Sequence, residues 1–173
     1  MSTARRTALV LLAALVAPAS AGAVSAADQA ESRVSVAFIE PQRFTDIKAS
    51  AARSEKGSAA ILDEIAQFLR QAGEAQLPAG FTLEIRVTDI DLAGEFEPVR
   101  GPQFERTRLM RDVYWPRFDL GFRLKDPDGR VVKEGPRTLR DLNYLTRLLR
   151  VSEDRLRYEK ALLRDWLRRE FAP

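Results

Sequence analysis

The chain has 173 residues, is 45% hydrophobic and 31% charged, and contains neither cysteine nor histidine. That is ordinary globular composition at single-domain length. The missing residue types exclude disulfides, serine–histidine triads, cysteine nucleophiles and zinc sites built on nitrogen or sulfur ligands.

The N-terminus reads as a cleavable leader. Arg5 and Arg6 precede an apolar run from Ala8 to Ala17, well short of the roughly 20 residues a membrane-spanning helix needs. Pro18 breaks the run, and Ala21-Gly22-Ala23 and Val24-Ser25-Ala26 offer the small side chains a signal peptidase accepts. The expectation is a signal peptide over 1–26, cut between Ala23 and Ala27, with a single domain over 27–173. The alternative is an N-terminal helix buried in the domain. The tandem arginines lack the wider context of a twin-arginine signal, so ordinary secretion is expected. With no cysteine to carry a lipid, the product is expected to be soluble and periplasmic, without a membrane anchor after cleavage.

The leader also distorts the charge. It holds two of the 28 basic residues and no acidic one, so 26 basic residues face 25 acidic ones in the remainder, a net +1 rather than +3. A nearly neutral domain has no global field for nucleic acid or an anionic membrane, and no nucleic-acid partner is expected.

Beyond Asp28 the elements follow in order. Val34, Val36 and Phe38 alternate with Ser35 and Ala37 as in a strand that Pro41 ends. Ser54 is a candidate N-cap for a helix whose Ile61, Leu62, Ile65, Phe68 and Leu69 share one face, closed by Pro78 and Gly80. Phe81, Leu83, Ile85 and Val87 form the inward side of a second strand. At Asp89 a carboxylate takes an apolar-side position, which predicts a strand end or a bulge. The segment from Gly94 to Pro116 lacks a period, except for a short strand expected around Thr107 to Met110.

Phe118, Leu120, Phe122 and Leu124 then alternate with polar residues up to the turn Asp126-Pro127-Asp128-Gly129. A return strand begins at Val131 and Val132 and is expected to stop at Gly135-Pro136. A last helix is expected to start at Ser152 with Glu153 and Asp154 in its first turn. Its apolar arc holds Leu156, Leu163, Leu167 and Phe171, and Glu159 and Lys160 fall inside that arc. The pattern predicts an α+β two-layer sandwich. Its mainly antiparallel sheet of about four strands carries two amphipathic helices on one face and a charged open face formed by Glu84, Arg86, Arg117, Asp119, Arg123 and Lys125.

Three groups could carry chemistry. Asp89 and Asp91 project to one side, where they could share a cation or act as an acid/base pair; the plainer reading is that they cap backbone amides. Asp126 and Asp128 belong to a turn, since the remaining calcium ligands are missing. Arg100, Arg106, Arg108, Arg111 and Arg117 surround Tyr114 and Trp115, a composition suited to phosphate, carboxylate or sugar-phosphate groups. Glu95, Glu97, Glu105 and Asp112 could instead pair these arginines internally. In the last helix Lys160 reads as one of a structural pair or a snorkelling side chain.

The motifs also resemble the proteobacterial family known as domain of unknown function 3016. The matching stretches are Phe38 and Pro41 ahead of Phe44-Thr45-Asp46, the run LEIRVTDIDLAG from Leu83 to Gly94, Met110-Arg111-Asp112 with Trp115-Pro116-Arg117, and the run from Tyr158 to Trp166. The resemblance implies a small exported envelope protein and lends no catalytic residues.

The expectation is therefore a non-enzymatic periplasmic domain, with no cofactor and no metal, that binds an envelope protein or an anionic envelope molecule. Its site is expected at Asp89, Asp91, Arg106, Arg108, Arg111 and Trp115, and replacing Arg108 and Arg111 together should abolish binding without lowering the melting temperature. The alternatives are a carboxylate-dependent hydrolase or cation-binding protein using Asp89 and Asp91, and a structural partner in an envelope assembly.

Overall fold

The structure, a computed structural model, describes residues 32–48, 54–101, 107–147 and 153–171; the expected signal peptide, Arg106 and Ser152 lie outside the described residues. Strand β1 (Val34–Phe38) turns Val34 into the core and exposes Ser35 and Ala37, as its period of two requires. Helix α1 (Glu55–Glu74) starts at Ser54, whose hydroxyl accepts from the Gly57 amide at 3.4 Å. Ile61, Ile65 and Leu69 on this helix are buried, and Gly73 lets it approach β1: a Cβ there would lie 3.0 Å from Val34 Cγ2.

Strand β2 (Thr82–Asp91) lies parallel to β1, with Val34 opposite Leu83 and Phe38 opposite Val87. Its alternation slips between Val87 and Asp89, where the register against the strand holding Asp119 and Leu120 shifts. This is the bulge expected from the sequence. The extra residue returns Ile90 to the core and leaves Asp89 on the polar side. Strand β5 (Arg117–Lys125) runs antiparallel to β2 and buries Phe118, Leu120, Phe122 and Leu124. The turn at Asp126 to Gly129 leads into β6 (Val131–Arg140), antiparallel to β5, and Gly129 takes φ 80.

The sheet order is β1-β2-β5-β6, a mixed sheet with one parallel pair. Strand β6 does not stop at Gly135-Pro136: Pro136 pairs with Gly121, and the strand continues to Arg140. An edge strand tolerates this proline because one side of its backbone faces no ladder.

Both helices cover the same face. Helix α2 (Arg157–Phe171) buries Leu162, Leu163, Trp166, Leu167 and Phe171 against the apolar side of the sheet. It begins later than the sequence suggests: Asp154 precedes it, its Oδ1 accepting from the Leu156 amide at 2.9 Å. Over the helix-facing side of β6, Arg137 lies on the Phe122 ring at 4.8 Å and makes a two-pronged bond to Glu170 of α2, at 2.7 and 2.9 Å. Charges that point inward along an edge strand also discourage pairing with another chain. A separate ribbon, β3 (Glu95–Phe96) against β4 (Arg108–Leu109), holds the expected short strand and lies outside the main sheet.

Candidate ligand-binding cavity

The bulge in β2 decides the fate of Asp89. Its carboxylate accepts from the Thr45 amide at 2.7 Å, the Thr45 hydroxyl at 2.6 Å, the Ile90 amide at 2.9 Å and Arg117 Nη2 at 2.6 Å. Burial opposes its ionisation, but the Thr45 bonds and the Arg117 guanidinium outweigh it and hold the carboxyl below the ordinary aspartate range. Arg117 also pairs with Asp119. Asp91 is pushed upward, by burial and then by Asp46, Asp89 and Glu95, with Arg117 acting in the other direction. The two carboxyls therefore differ in state, one capped and ionised, the other partly desolvated. Among the described residues no group of three acidic, histidine or cysteine side chains is placed to hold a metal ion.

The arginines of the long segment go to separate partners. Arg108 pairs with Asp46 at 2.7 Å, Arg111 with Glu97 at 3.5 Å, and Trp115 lies under the Arg140 guanidinium at 5.7 Å. Arg106 lies outside the described residues. Of the residues singled out in the sequence, Asp89 thus meets Arg117 and Arg111 meets Glu97, one of the acidic residues offered as internal partners, while Arg108 and Trp115 have neighbours outside that set.

Arg108 is held on several sides. Nη1 donates to Asp46 at 2.7 Å and to the Gly94 carbonyl at 2.6 Å, Nη2 donates to the Lys48 carbonyl at 2.9 Å, and the guanidinium stacks on Phe96 at 4.6 Å. This clamp joins the β3–β4 ribbon to the loop after β1, and beside it opens a cavity of about 280 Å³. Ile61, Leu92, Phe96, Met110 and Leu156 form its apolar lining, while Lys48, Arg108, Arg155 and Arg157 supply positive charge. Arg157 rests on the Tyr158 ring at 4.5 Å, and Arg155 donates to Glu64 at 3.0 Å.

One carboxyl lines the same cavity. Glu159, in the first turn of α2, is 1% exposed. Its Oε1 accepts from the Ala93 amide at 2.7 Å, and its Oε2, also buried, has no hydrogen-bond partner among the described residues. Burial pushes its pKa from 4.5 up to about 7, against the lowering pull of the Ala93 amide, its own backbone amide and Arg108. Its sequence neighbour behaves differently. Lys160 donates to Glu64 at 2.7 Å and to Asp154 at 2.8 Å, and these bonds outweigh burial and keep it charged.

The helix period already placed Glu159 inside the apolar arc, an anomaly visible in the sequence. Nothing local marked Lys48, Arg155 or Arg157 as its companions. Two other hollows lack this chemistry. A groove of about 340 Å³ over Gly121 is edged by Glu84, Arg86, Arg123 and Glu134, of which Arg123 pairs with Glu134 at 2.9 Å and Glu84 with the neighbouring Lys125. A hollow of about 550 Å³ beside Ile47 and Leu62 has Glu55 as its one charged wall residue among the described residues.

Fold and cavity together define a two-layer α+β domain, a mixed four-stranded sheet under two helices with a basic, mostly apolar hollow at the start of the second helix. The chain belongs to the family described as a protein of unknown function (DUF3016), whose model matches residues 32–169. No curated protein and no solved structure matches the chain. Among the described residues no helix is long and apolar enough to cross a membrane.

Proposed function

We propose that this protein is an exported, non-enzymatic binding domain of the bacterial envelope and that the cavity beside Arg108 takes a small anionic molecule. The observation that carries the reading is the buried carboxyl of Glu159, whose Oε2 has no hydrogen-bond partner among the described residues, in the wall of a cavity edged by Lys48, Arg155 and Arg157. A buried polar atom left without a partner costs about 1–3 kcal/mol, so its persistence favours a role met by a bound group. Small-molecule sites are commonly apolar hollows with a few convergent polar groups, as this one is.

The binding reading is preferred to catalysis because, among the described residues, the cavity wall offers no serine, threonine or tyrosine beside Glu159. Arg108 spends its donors on Asp46 and the main-chain carbonyls of Ala93, Gly94 and Lys48. The Asp89 carboxylate is saturated by Thr45, Ile90 and Arg117, which argues against an acid/base pair with Asp91. The export half of the proposal rests on Arg5, Arg6, the run from Ala8 to Ala17 and the small residues up to Ala26.

Two measurements test it. Mass spectrometry of the protein recovered from the periplasm should give a new N-terminus between Ala23 and Ala27; a chain retained with Met1 in the cytoplasm sinks the export reading. A thermal-shift screen against small organic and inorganic anions should raise the melting temperature of the wild type, since a ligand at 100 times its Kd adds about 2.7 kcal/mol. K48A/R157A should lose that response. If no anion has an effect, or if the variant responds as the wild type does, the cavity is not the site.

A further inference from the structure

The free oxygen of Glu159 narrows the ligand. One end of the carboxyl is committed, Oε1 to the Ala93 amide at 2.7 Å, while Oε2 is buried and unpartnered. An ionised oxygen in that position would be cut off from water, a cost that the Ala93 amide and the residue's own amide offset only in part. The carboxyl therefore keeps a proton to near-neutral pH, with burial as the main cause.

The charges around it do not reverse this. From β4, Arg108 favours ionisation, but Asp46 at 2.7 Å offsets its charge. From the loop after β1, Lys48 lies 4.0 Å from Asp46. Ahead of α2, Asp154 raises the Glu159 pKa further, and Lys160 on α2 itself is spent on Asp154 and Glu64. From α1, Glu64 also holds Arg155. A protonated Glu159 is a hydroxyl donor, and the cavity it lines is otherwise apolar except for its basic residues.

A complementary ligand needs an acceptor that is charged, small, and attached to an apolar body. We infer that the cavity takes a small hydrophobic monocarboxylate, which turns the Glu159 carboxyl toward the hollow and shares its oxygens between that hydroxyl and the cations Lys48 and Arg157, and that seating it fixes one proton in the complex. This rests on the reading of the cavity as an anion site. The proton comes from solvent whenever Glu159 is ionised in the free protein, and no covalent bond is made or broken. The donor and acceptor are then two carboxyl groups sharing one proton, among the stronger hydrogen bonds proteins make. A phosphate dianion is a poorer match, because its three oxygens would face a single hydroxyl at the buried end. At about 280 Å³ the hollow lies just below the roughly 300–1,000 Å³ of drug-sized sites, which favours an acid with a short chain or a single ring.

The test is isothermal titration of the processed protein with sodium hexanoate, against hexan-1-ol, hexylamine and inorganic phosphate. At pH 8, runs in two buffers of different ionisation enthalpy should show uptake of nearly one proton per hexanoate. The affinity should fall about tenfold for each pH unit above 7, the slope of a single linked proton. E159Q keeps a donor at Oε2 but cannot titrate, so it should bind hexanoate with no proton uptake and a flat pH profile. The wild-type uptake measurement stands even if that variant folds poorly. Hexanoate binding without proton uptake overturns the shared proton while leaving the anion site intact, as does a preference for phosphate. Preference for hexylamine with proton release overturns it in favour of a cationic ligand. Silence with every anion overturns the anion site as well.

Discussion

Arg108 and Asp46, 62 residues apart in the chain, meet at 2.7 Å with side chains only 17% and 3% exposed. The same guanidinium holds the carbonyls of Gly94 and Lys48, so one side chain ties the loop after β1 to the β3–β4 ribbon. Removing one member of a buried ion pair strands the other, at a typical cost of 3–5 kcal/mol. R108A should therefore lower the unfolding free energy by about 3 kcal/mol in urea titrations. R111A should change it by less than about 0.5 kcal/mol, because Arg111 is 42% exposed and its partner Glu97 is 3.5 Å away. The double variant then melts early through Arg108 alone, so lost binding in it would not identify a ligand contact.

Gly94 supports the same clamp. It has φ 76, and a Cβ there would lie 2.4 Å from Met110 Sδ and 2.8 Å from the Leu109 carbonyl oxygen. The left-handed backbone and the close approach both exclude a side chain. G94A should cost about 3 kcal/mol in urea unfolding, from backbone strain and displacement of the ribbon together. A cost below about 1 kcal/mol would mean that the ribbon shifts freely and that its hold on Arg108 is weak.

The parts of this fold that were legible in the sequence are those set by local period. Leu83, Ile85 and Val87 alternate because β2 has one buried face, and Ile61, Ile65 and Leu69 recur at helical spacing because α1 lies flat on the sheet. The Asp126 to Gly129 turn carries its own chemistry, and Asp89 announced the bulge by breaking the alternation. Long-range choices were not legible. Whether Pro136 ends a strand depends on its being at the sheet edge, which the order β1-β2-β5-β6 decides. The cavity is less legible still. Glu159 bonds to Ala93 across 66 residues, and a carboxylate inside an apolar arc signals an anomaly without naming what faces it.

The edge of the sheet should be acid-sensitive through Glu170. Hydrogen bonds from Arg137 outweigh burial and, with Lys133, hold its pKa down to about 2. A carboxyl lowered by folding contributes stability above its unfolded value of 4.5 and loses it as the pH falls from there towards about 2. E170Q should cost about 1 kcal/mol at pH 7, the figure being kept small because Arg137 and Lys133 are partly exposed and screened. The difference from wild type should vanish in urea titrations at pH 2. An equal difference at both pH values would mean that the glutamine disturbs packing rather than charge.

Glu159 has the opposite sign. Its pKa is higher in the folded chain, about 7 against 4.5, so between those values the native state holds a proton that the unfolded state has released. Stability at this position is therefore highest below pH 4.5, falls as the pH rises to about 7, and stays low above it. The displacement corresponds to about 3 kcal/mol between the two plateaus. Glutamine keeps the acceptor for the Ala93 amide and carries no charge into the cavity. E159Q should therefore match the wild type within about 1 kcal/mol at pH 5 and exceed it by about 2–3 kcal/mol at pH 8. Urea unfolding of both proteins at those two pH values decides the matter. A stability gain at pH 8 locates the buried proton at Glu159. Equal curves at both pH values would mean that water reaches Oε2 and that the carboxyl ionises without penalty.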